Sequence, residues 1–527
     1  MRRSAALVLL LSAAAAGQPF DKARANGREF ERDVAAAHRL LRAWMQHADP
    51  KTLLLPDQPA AEPAQRVYTP HNSGADLYPY LVLTAELTDG PLYRGRMREM
   101  LRNEVRYTAG ADGVPGNLTF ASGELGPPSL FGAGEYAKDG LITITEYLGR
   151  TPWFYRLVDL VAAAMARAGV PSKFGPLPAR DAELNGDYLQ VLSRLWTMTG
   201  DRRFLDWARR IGDAYANEVL PGNHGVPAAV WDFDKHVALD PKLKLRDHGN
   251  EAVVGLVLLD AVDGGRYRAP VSRMLDRILA SANEDGMLYN EVDPVKLSPL
   301  SKGLSDNWGY VYGAVYTFYQ STGEGKYRDA VRRVLRNLPK YRRWAWEPSR
   351  RERIAGLGSF DGYADSIEGA IYLYNREPVP EALEWIDSEI QLMLSMQRDD
   401  GHVEDWYGEG NFNRTALLHA YLKSAGVRPA EWKPGVRVGA VREGDRLFLS
   451  LAAPAPTTLH FDFARHRRVL NLDRNYVRLN EFPEWFPVEE NRLYRLRRAG
   501  GPEEMVRLGS ELIAGITLEP GDWEVFR

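Results

Sequence analysis

Acidic, amide and aromatic residues cluster in seven short polar segments, each of which lies directly ahead of a strongly apolar stretch. Five acids in these segments are candidate catalytic residues: Asp187, Glu251, Asp306, Asp365 and Glu368. Ten more residues of the segments are candidate substrate ligands: His71, Asn72, Asp76, His248, Asn250, Trp308, Tyr310, Tyr363, Trp406 and Arg414. If the apolar stretches are helices that run side by side in one direction, their N-terminal ends bring these side chains to one place.

Paired carboxyl groups of this kind suit the hydrolysis of a glycosidic bond. One carboxylic acid protonates the leaving oxygen, and a second carboxylate acts on water or on the anomeric carbon. The acid needs a raised pKa, which a second acid or an apolar wall provides. Glu368 meets that condition in the sequence, because it lies inside the apolar segment SIEGAIYLY. The rings of Trp231, Trp308, Trp406 and Tyr407 are candidate platforms for stacking on sugars.

Helix capping is the simpler explanation for many of these acids. Asp, Asn and Ser are preferred at the N-cap, and acids in the first turn are favoured by the helix dipole. Capping does not account for His248, Trp308, Tyr310, Tyr363, Trp406 and Arg414, nor for an acid well inside an apolar helix such as Glu368. The sequence therefore predicts a site at the helix ends and leaves open which two carboxyls react.

The elements that position these residues recur along the chain. Five short breaks are centred on Asp89, Gly149, Gly200, Asp263 and Gly323. An aromatic residue follows each break four positions later, namely Tyr93, Trp153, Phe204, Tyr267 and Tyr327. Glycine takes the left-handed conformation of a helix C-terminus at little cost, and a short break turns the next helix back on the last. The repeating unit is an αα-hairpin of roughly 50–60 residues.

The two helices of each hairpin differ in composition. The helix before the break is apolar on every side, as in AVVGLVLLDAV, and the helix after it has a charged face, as in KYRDAVRRVLRNLPKY. A helix that is apolar all round is buried, whereas one with a charged face lies at the surface. The pattern predicts a mainly α fold, an (α/α) toroid of six or seven hairpins with inner and outer helices, over residues 25–430.

The spacing of apolar residues changes near Pro434. Alternating segments such as RLFLSL and DWEVF appear there, with the turn signals EGD and EPGD between some of them. These segments predict a small C-terminal β-sandwich or β-sheet domain over residues 434–527.

The first 17 residues have the pattern of a bacterial signal peptide. Arg2 and Arg3 precede an apolar run that ends in small residues near Ala16 and Gly17. The run is too short to cross a bilayer as a helix. We therefore expect a secreted or periplasmic protein that makes no membrane contact after the signal is removed.

Composition and motif searches exclude several functional classes. A net charge of −3 gives no basic surface for nucleic acid. The absence of cysteine excludes disulfides, thiolate metal sites and a cysteine nucleophile. No P-loop, dinucleotide fingerprint, HExxH or G-x-S-x-G motif occurs. We expect a carbohydrate partner, no cofactor and no metal ion; a calcium site at Asp232 and Asp234 and the oligomeric state stay open.

Taken together, the TGD and TGE breaks ahead of an aromatic, the alternating helices and the β-rich end resemble the six-hairpin glycosidase superfamily of (α/α) toroid enzymes. The resemblance covers residues 25–430 and implies the toroid fold and a carbohydrate substrate. Because the TG-x-x-x-[YF] break is shared by hydrolases, lyases and epimerases, no catalytic residue carries over from any one family.

Three functions remain open. The preferred one is a secreted glycoside hydrolase that acts on an oligo- or polysaccharide through a pair of carboxylates. In the second, a polysaccharide lyase, a Tyr or His base removes the proton next to a uronate carboxyl that Asn or Arg neutralises. His248, Asn250, Tyr310, Tyr363 and Arg414 suit that role, but the excess of acids would repel a uronate polymer. The third, a non-catalytic sugar-binding protein, predicts aromatics without a buried acid pair.

Overall fold

Helices that are buried on every side alternate along the chain with helices that have one exposed face. The computed structural model describes residues 2–246, 249–342 and 361–527. The main helices in these ranges are α1 (Arg2–Trp44), α2 (Tyr78–Thr88), α3 (Arg98–Thr108), α4 (Leu130–Glu135), α5 (Ile142–Leu148), α6 (Pro152–Arg167), α7 (Ala182–Thr199), α8 (Arg202–Ala214), α9 (Glu251–Val262), α10 (Arg268–Ala280), α11 (Trp308–Thr322), α12 (Gly325–Asn337), α13 (Asp361–Arg376), α14 (Pro380–Ser395) and α15 (Glu409–Lys423). Shorter helical turns lie at Pro63–Gln65, Pro70–Leu77, Gly90–Leu92, Tyr93–Met97, Tyr136–Leu141, Tyr215–Val219, Leu220–Gly222 and Leu338–Lys340.

The inner helices are α2, α4 with α5, α7, α9, α11, α13 and α15, and the others are outer helices. In α9 the ten residues from Glu251 to Asp260 are all buried. In the outer helix α8 only one side is buried, by residues such as Phe204, Leu205 and Ile211, while Arg202 and Arg203 are exposed. This contrast in burial is the one that the composition of the two helix types predicts.

Two of the five breaks between paired helices have the left-handed glycine expected at a helix C-terminus. Gly200 and Gly323 follow α7 and α11 with φ of 71° and 80°, in the left-handed region. The aromatic residue after each break then packs into the core: Phe204 and Tyr327 are both buried. These breaks turn each outer helix back along the preceding inner helix.

Each inner helix contacts the next one along the chain. The contacts run from α2 to α5, from α4 to α7, and on through α9, α11 and α13 to α15, and α15 also contacts α2. Glycines lie where the backbones are closest: a Cβ on Gly309 of α11 would be 2.5 Å from the Cα of Gly369 of α13. The inner helices therefore touch through their backbones near the ends where the candidate site residues lie.

The C-terminal residues are rich in β-structure. The strands there are β7 (Arg428–Pro429), β8 (Arg437–Glu443), β9 (Arg446–Ala452), β10 (Thr457–His460), β11 (Leu493–Arg498), β12 (Glu504–Leu508), β13 (Ile516–Leu518) and β14 (Gly521–Phe526), with short helices α16 (Arg465–Arg468) and α17 (Gly509–Ala514). They form a five-stranded antiparallel sheet in the order β12-β11-β14-β9-β8 and a three-stranded sheet in the order β13-β10-β7. Helix α1 packs on β8 and β9.

Short strands also occur in the loops between helices. They are β1 (Val67–Tyr68), β2 (Leu118–Thr119), β3 (Val230–Asp232), β4 (Val237–Asp240), β5 (Leu243–Lys244) and β6 (Glu291–Val292), and they pair as β1–β2, β3–β4 and β5–β6. Across the described ranges, no helix has both the length and the apolar character needed to cross a membrane.

Candidate functional site

A polar cavity lies among the N-terminal parts of the inner helices. Its walls carry five acids, two cations and three further residues: Asp76, Glu135, Asp139, Glu251, Asp365, Lys138, Arg414, Tyr310, Asn411 and Leu479. Charged side chains this close together must be partnered, because an isolated charge is costly to bury. Acids outnumber cations, so the cavity favours a ligand that does not bring further negative charge.

Lys138 is the centre of the first group of acids. Its Nζ atom is 3.0 Å from Asp139, 3.3 Å from Glu135, and 3.4 Å from both Asp187 and Glu251. Glu135, Lys138 and Asp139 fall at positions i, i+3 and i+4 of one helical stretch, which places all three on the same face. Asp187 comes from α7 and Glu251 from the start of α9. One buried ammonium thus collects carboxyls from three inner helices.

The protonation of this group follows from burial and charge. Burial raises the pKa of Glu135 well above its ordinary value, against the opposing charge of Lys138. Burial raises the pKa of Asp187 in the same way. Burial alone would lower the pKa of Lys138, but the surrounding acids, with Asp139 first, hold it well above its ordinary value. The group therefore combines a charged lysine with two carboxyls, Glu135 and Asp187, whose protonated forms are favoured by burial.

Arg414 of α15 is the centre of the second group. It forms ion pairs with Asp365 and, at 2.9 Å, with Glu368, which lie one turn apart on α13. The Tyr310 hydroxyl donates a hydrogen bond to Glu368 (2.6 Å), and the Asn307 amide donates one to Asp365 (2.9 Å). Burial raises the pKa of Glu368 to about 8, against the opposing charge of Arg414. Glu368 is fully buried and does not line the cavity, whereas Asp365 does.

One residue outside the inner helices joins the two groups. Asn480 lies between α16 and β11, and its amide Nδ2 donates a hydrogen bond to Asp139. Its Oδ1 accepts a hydrogen bond from Arg414 at 2.9 Å. The neighbouring Leu479 lines the cavity.

Seven of the sequence candidates meet in or around this cavity: Asp76, Asp187, Glu251, Tyr310, Asp365, Glu368 and Arg414. Each comes from an inner helix or from the turn that leads into one. Convergence of the helix N-termini, which the sequence predicts, is the reason that they meet.

Other candidates make contacts typical of caps or core. The backbone N–H of Asn307 donates to the Asp306 carboxylate (3.1 Å), and Asp306 is not among the described residues that line the cavity. Asn250 precedes α9, and its amide donates to the Arg246 carbonyl (3.1 Å). Trp308 is buried, with its ring edge-to-face against Tyr312. The proposed site therefore leaves these three residues out.

Three more candidates have partners away from the acid groups. Tyr363 is fully buried, and its hydroxyl donates to Glu389 of the outer helix α14. The Asn72 amide donates to Asp57 (2.8 Å). The indole of Trp406 donates to Glu404.

Two of the candidates are histidines, His71 and His248. The ring of His71 lies 5.5 Å from that of Phe131, centre to centre, and burial lowers the pKa of its imidazole. His248 lies outside the described residues. Of the proposed stacking platforms, Trp231 is buried, and its indole donates to Glu218 (2.9 Å).

Glu135, Lys138, Asp139 and Asn480 are not among the fifteen candidates named from the sequence, although all four lie in or around the cavity. The first three lie in GAGEYAKD, one of the seven polar segments, and their i, i+3, i+4 spacing is a signal that could have found them. Asn480 has no such signal, because it lies in the part of the sequence with β-like alternation.

Two other groups of residues in the described ranges have the geometry to hold a cation. They are Glu29 with Asp387 and His419, and His402 with Asp405 and Glu409. In the first, both ring nitrogens of His419 already pair with acids, Asp33 and Asp387. Protein contacts therefore account for the imidazole without a metal ion.

Neither a family model nor a curated protein matches the chain. Among solved structures, a cellobiose 2-epimerase from Bacillus thermoamylovorans is similar over 60% of this chain and 87% of its own, at 11% identity and a TM-score of 0.43. An inactive variant of an α-1,6-mannanase from Salegentibacter, in complex with α-1,6-mannotetrose, is similar over 74% and 98%, at 10% identity and a TM-score of 0.43. An unsaturated glucuronyl hydrolase from Bacillus is similar over 55% and 85%, at 15% identity and a TM-score of 0.39.

Proposed function

We propose that the protein is a glycoside hydrolase, with Glu135 as the proton donor and Glu251 as the second carboxylate. The observation that carries the proposal is that one atom, Lys138 Nζ, lies 3.3 Å from Glu135 and 3.4 Å from Glu251. Two carboxyls that contact the same atom are only several Å apart, as the acid and second carboxylate of glycoside hydrolysis are. Both residues also line the cavity.

The two carboxyls have different surroundings, which suits different roles. Burial raises the pKa of Glu135, so that it holds a proton to give to the leaving oxygen. Glu251 contacts Lys138 and also accepts a hydrogen bond from the Gln190 amide (3.2 Å). The Gln190 hydrogen bond fixes the orientation of the Glu251 carboxyl at the cavity wall. We assign Glu251 as the carboxylate that acts on water or on the anomeric carbon.

The charge of the cavity favours a neutral sugar as the substrate. Five acids and two cations line it, so a uronate would meet net repulsion. Tyr310, one of the two tyrosine candidates for a lyase base, donates a hydrogen bond to Glu368, and burial raises its pKa well above the ordinary value. Both features disfavour the lyase. A sugar-binding protein without catalysis is disfavoured because acids, and not aromatic rings, dominate the lining.

We also propose that the inner helices form a closed ring of seven, built by hairpins over residues 25–430 and followed by a β-domain over 434–527. The contact between α15 and α2 supports closure, as does the hydrogen bond from the Asn413 amide to the Thr84 hydroxyl (2.9 Å) that joins them. Export through the signal sequence of residues 1–17 remains part of the proposal.

An assay on two groups of substrates tests the activity. Neutral oligosaccharides of defined linkage are followed by the release of reducing ends, and uronate polymers by the ultraviolet absorbance of unsaturated products. We expect reducing ends from at least one neutral substrate and no rise in absorbance with the uronates. Absorbance growing with a uronate polymer, without hydrolysis of any neutral sugar, would show a lyase and contradict the proposal.

A further inference from the structure

A segment of the C-terminal region enters the ring between the inner helices. We call residues 475–482 the plug segment. The Thr317 hydroxyl of α11 donates to the Val477 carbonyl (3.0 Å), and the Arg194 guanidinium of α7 donates to the Leu479 carbonyl (3.2 Å). The ring of Phe482 packs against that of Tyr147 of α5, with the ring centroids 4.9 Å apart. The segment therefore touches several inner helices at once.

Buried ion pairs hold the plug segment in place. Arg478 pairs with Glu146 of α5 (3.1 Å) and with Glu481 of the segment itself (2.9 Å). Glu481 in turn pairs with Arg376 of α13 (2.6 Å). Side chains in a buried network of this kind are fixed in position, because breaking one pair leaves another charge unpartnered. The segment is thus a rigid base for the residues at its tip.

Asn480, at the tip, is suited to its position in two ways. Its backbone has a φ of 58°, a left-handed conformation that asparagine tolerates better than most residues. Its side chain is a neutral amide with a donor at one end and an acceptor at the other. The donor faces Asp139 and the acceptor faces Arg414, so each partner receives the atom that it needs.

We propose that Asn480 is a positioning residue of the site, through which the C-terminal region holds Lys138 and Arg414 in register. Asp139 is the acid nearest to Lys138, and Arg414 pairs with Asp365 across the same cavity. Loss of the amide frees Arg414 and Asp139 to move, and with them the acids that contact Lys138. The kinetic consequence rests on the proposed function; the bridge between the two groups does not.

Kinetics of Asn480→Gly test the positioning role, because glycine keeps the left-handed backbone and removes only the amide. A displacement of the catalytic groups by a fraction of an ångström should lower kcat about tenfold or more and change KM less. Asn471→Gly is the matched control, since Asn471 has the same left-handed backbone (φ 54°) but is exposed and does not line the cavity. Equal kcat in Asn480→Gly and the wild type, with both folded, would overturn the proposal.

Stability of Asn480→Asp as a function of pH gives a readout that needs no activity. An aspartate at this position places a second acid against Asp139, which raises the pKa of the new carboxyl in the folded state. Arg414 on the other side opposes this shift, but its charge is already shared by Asp365 and Glu368. Its protonated form donates to Asp139 much as the amide does, so the melting temperature at low pH should be close to that of the wild type. As pH rises above about 4 the unfolded chain loses this proton first, and the stability falls further behind the wild type.

In the control Asn475→Asp the new carboxyl contacts Arg376 and Arg478. Its melting temperature should therefore show no loss, relative to the wild type, that grows with pH. If Asn480→Asp and Asn475→Asp behave alike, Asn480 does not bridge the two groups and the proposal is wrong. If instead no sugar is hydrolysed by the wild type but the pH-dependent loss is found, the proposed function fails and the bridge stands.

Discussion

At the scale of single residues, two buried cations organise the acids of the cavity. Lys138 collects four carboxyls from three inner helices, and Arg414 holds Asp365 and Glu368 of a fourth. Burial raises the pKa of Glu135, Asp187 and Glu368 above the ordinary values, so the folded protein holds protons that the unfolded chain releases at lower pH. Those retained protons make the stability of the protein depend on pH.

Glu368 provides the clearest test of that dependence. Its pKa is about 8 in the folded protein, against an ordinary value of 4.5. Between these two values the unfolded chain has lost the proton and the folded protein keeps it. The free energy of unfolding should therefore fall with rising pH, by up to about 1.4 kcal/mol per pH unit. The contribution is fully present below pH 4.5 and is lost as the pH rises through 8.

Glu368→Gln should remove this part of the pH dependence. Urea unfolding between pH 5 and pH 8 measures it, with Glu381→Gln, an exposed acid on α14, as the control that keeps the wild-type slope. A slope in Glu368→Gln equal to that of the wild type would show that this carboxyl does not hold the proton.

At the scale of elements, composition predicts the structure well. The inner helices lie buried along most of their length, and Gly200 and Gly323 at two of the breaks have the left-handed backbone favoured at a helix end. These features depend on residues close in sequence, which is why periodicity and turn residues are enough to predict them. For the site residues, the sequence predicts the helix end at which each one lies, but it does not predict which of them contact one another.

The break STGEGKY allows a matched test of the helix ends. Gly323 has a φ of 80° and ends α11, whereas Gly325 begins α12 with open space where a Cβ would lie. Gly323→Ala should cost about 1 kcal/mol of stability, because the left-handed conformation is strained for alanine. Gly325→Ala should be neutral or stabilising, because alanine is the better helix former. Urea unfolding of both variants gives the comparison, and equal effects would contradict this view of the breaks.

At the scale of the whole molecule, the sequence predicts less. Asn480 reaches Asp139, which lies more than three hundred positions earlier in the chain, and no local pattern marks such a contact. Tyr363 and Trp308 have the chemical type of sugar ligands but are buried in the core. The sequence does not separate these two cases, because a buried aromatic residue and one exposed at a helix end occur in the same local pattern. Glu135 lies in GAGEYAKD, one of the seven polar segments, but nothing in the sequence distinguishes its carboxyl from the capping acids of the other segments.

The central claim is that Glu135 gives its proton to the leaving oxygen while Glu251 acts on the sugar, and the choice of leaving group tests it most directly. A natural sugar leaves only with a proton, whereas 2,4-dinitrophenolate leaves without one. Glu135→Gln should therefore lose about 10²- to 10⁴-fold in kcat/KM on the natural substrate and keep most of its kcat/KM on the dinitrophenyl glycoside, because kcat/KM covers only the steps through departure of the leaving group.

Glu251→Gln should lose turnover on both substrates, and Glu381→Gln on neither. The account predicts that the loss in Glu135→Gln depends on the leaving group. Equal losses on the two substrates, or no loss on either, would contradict it.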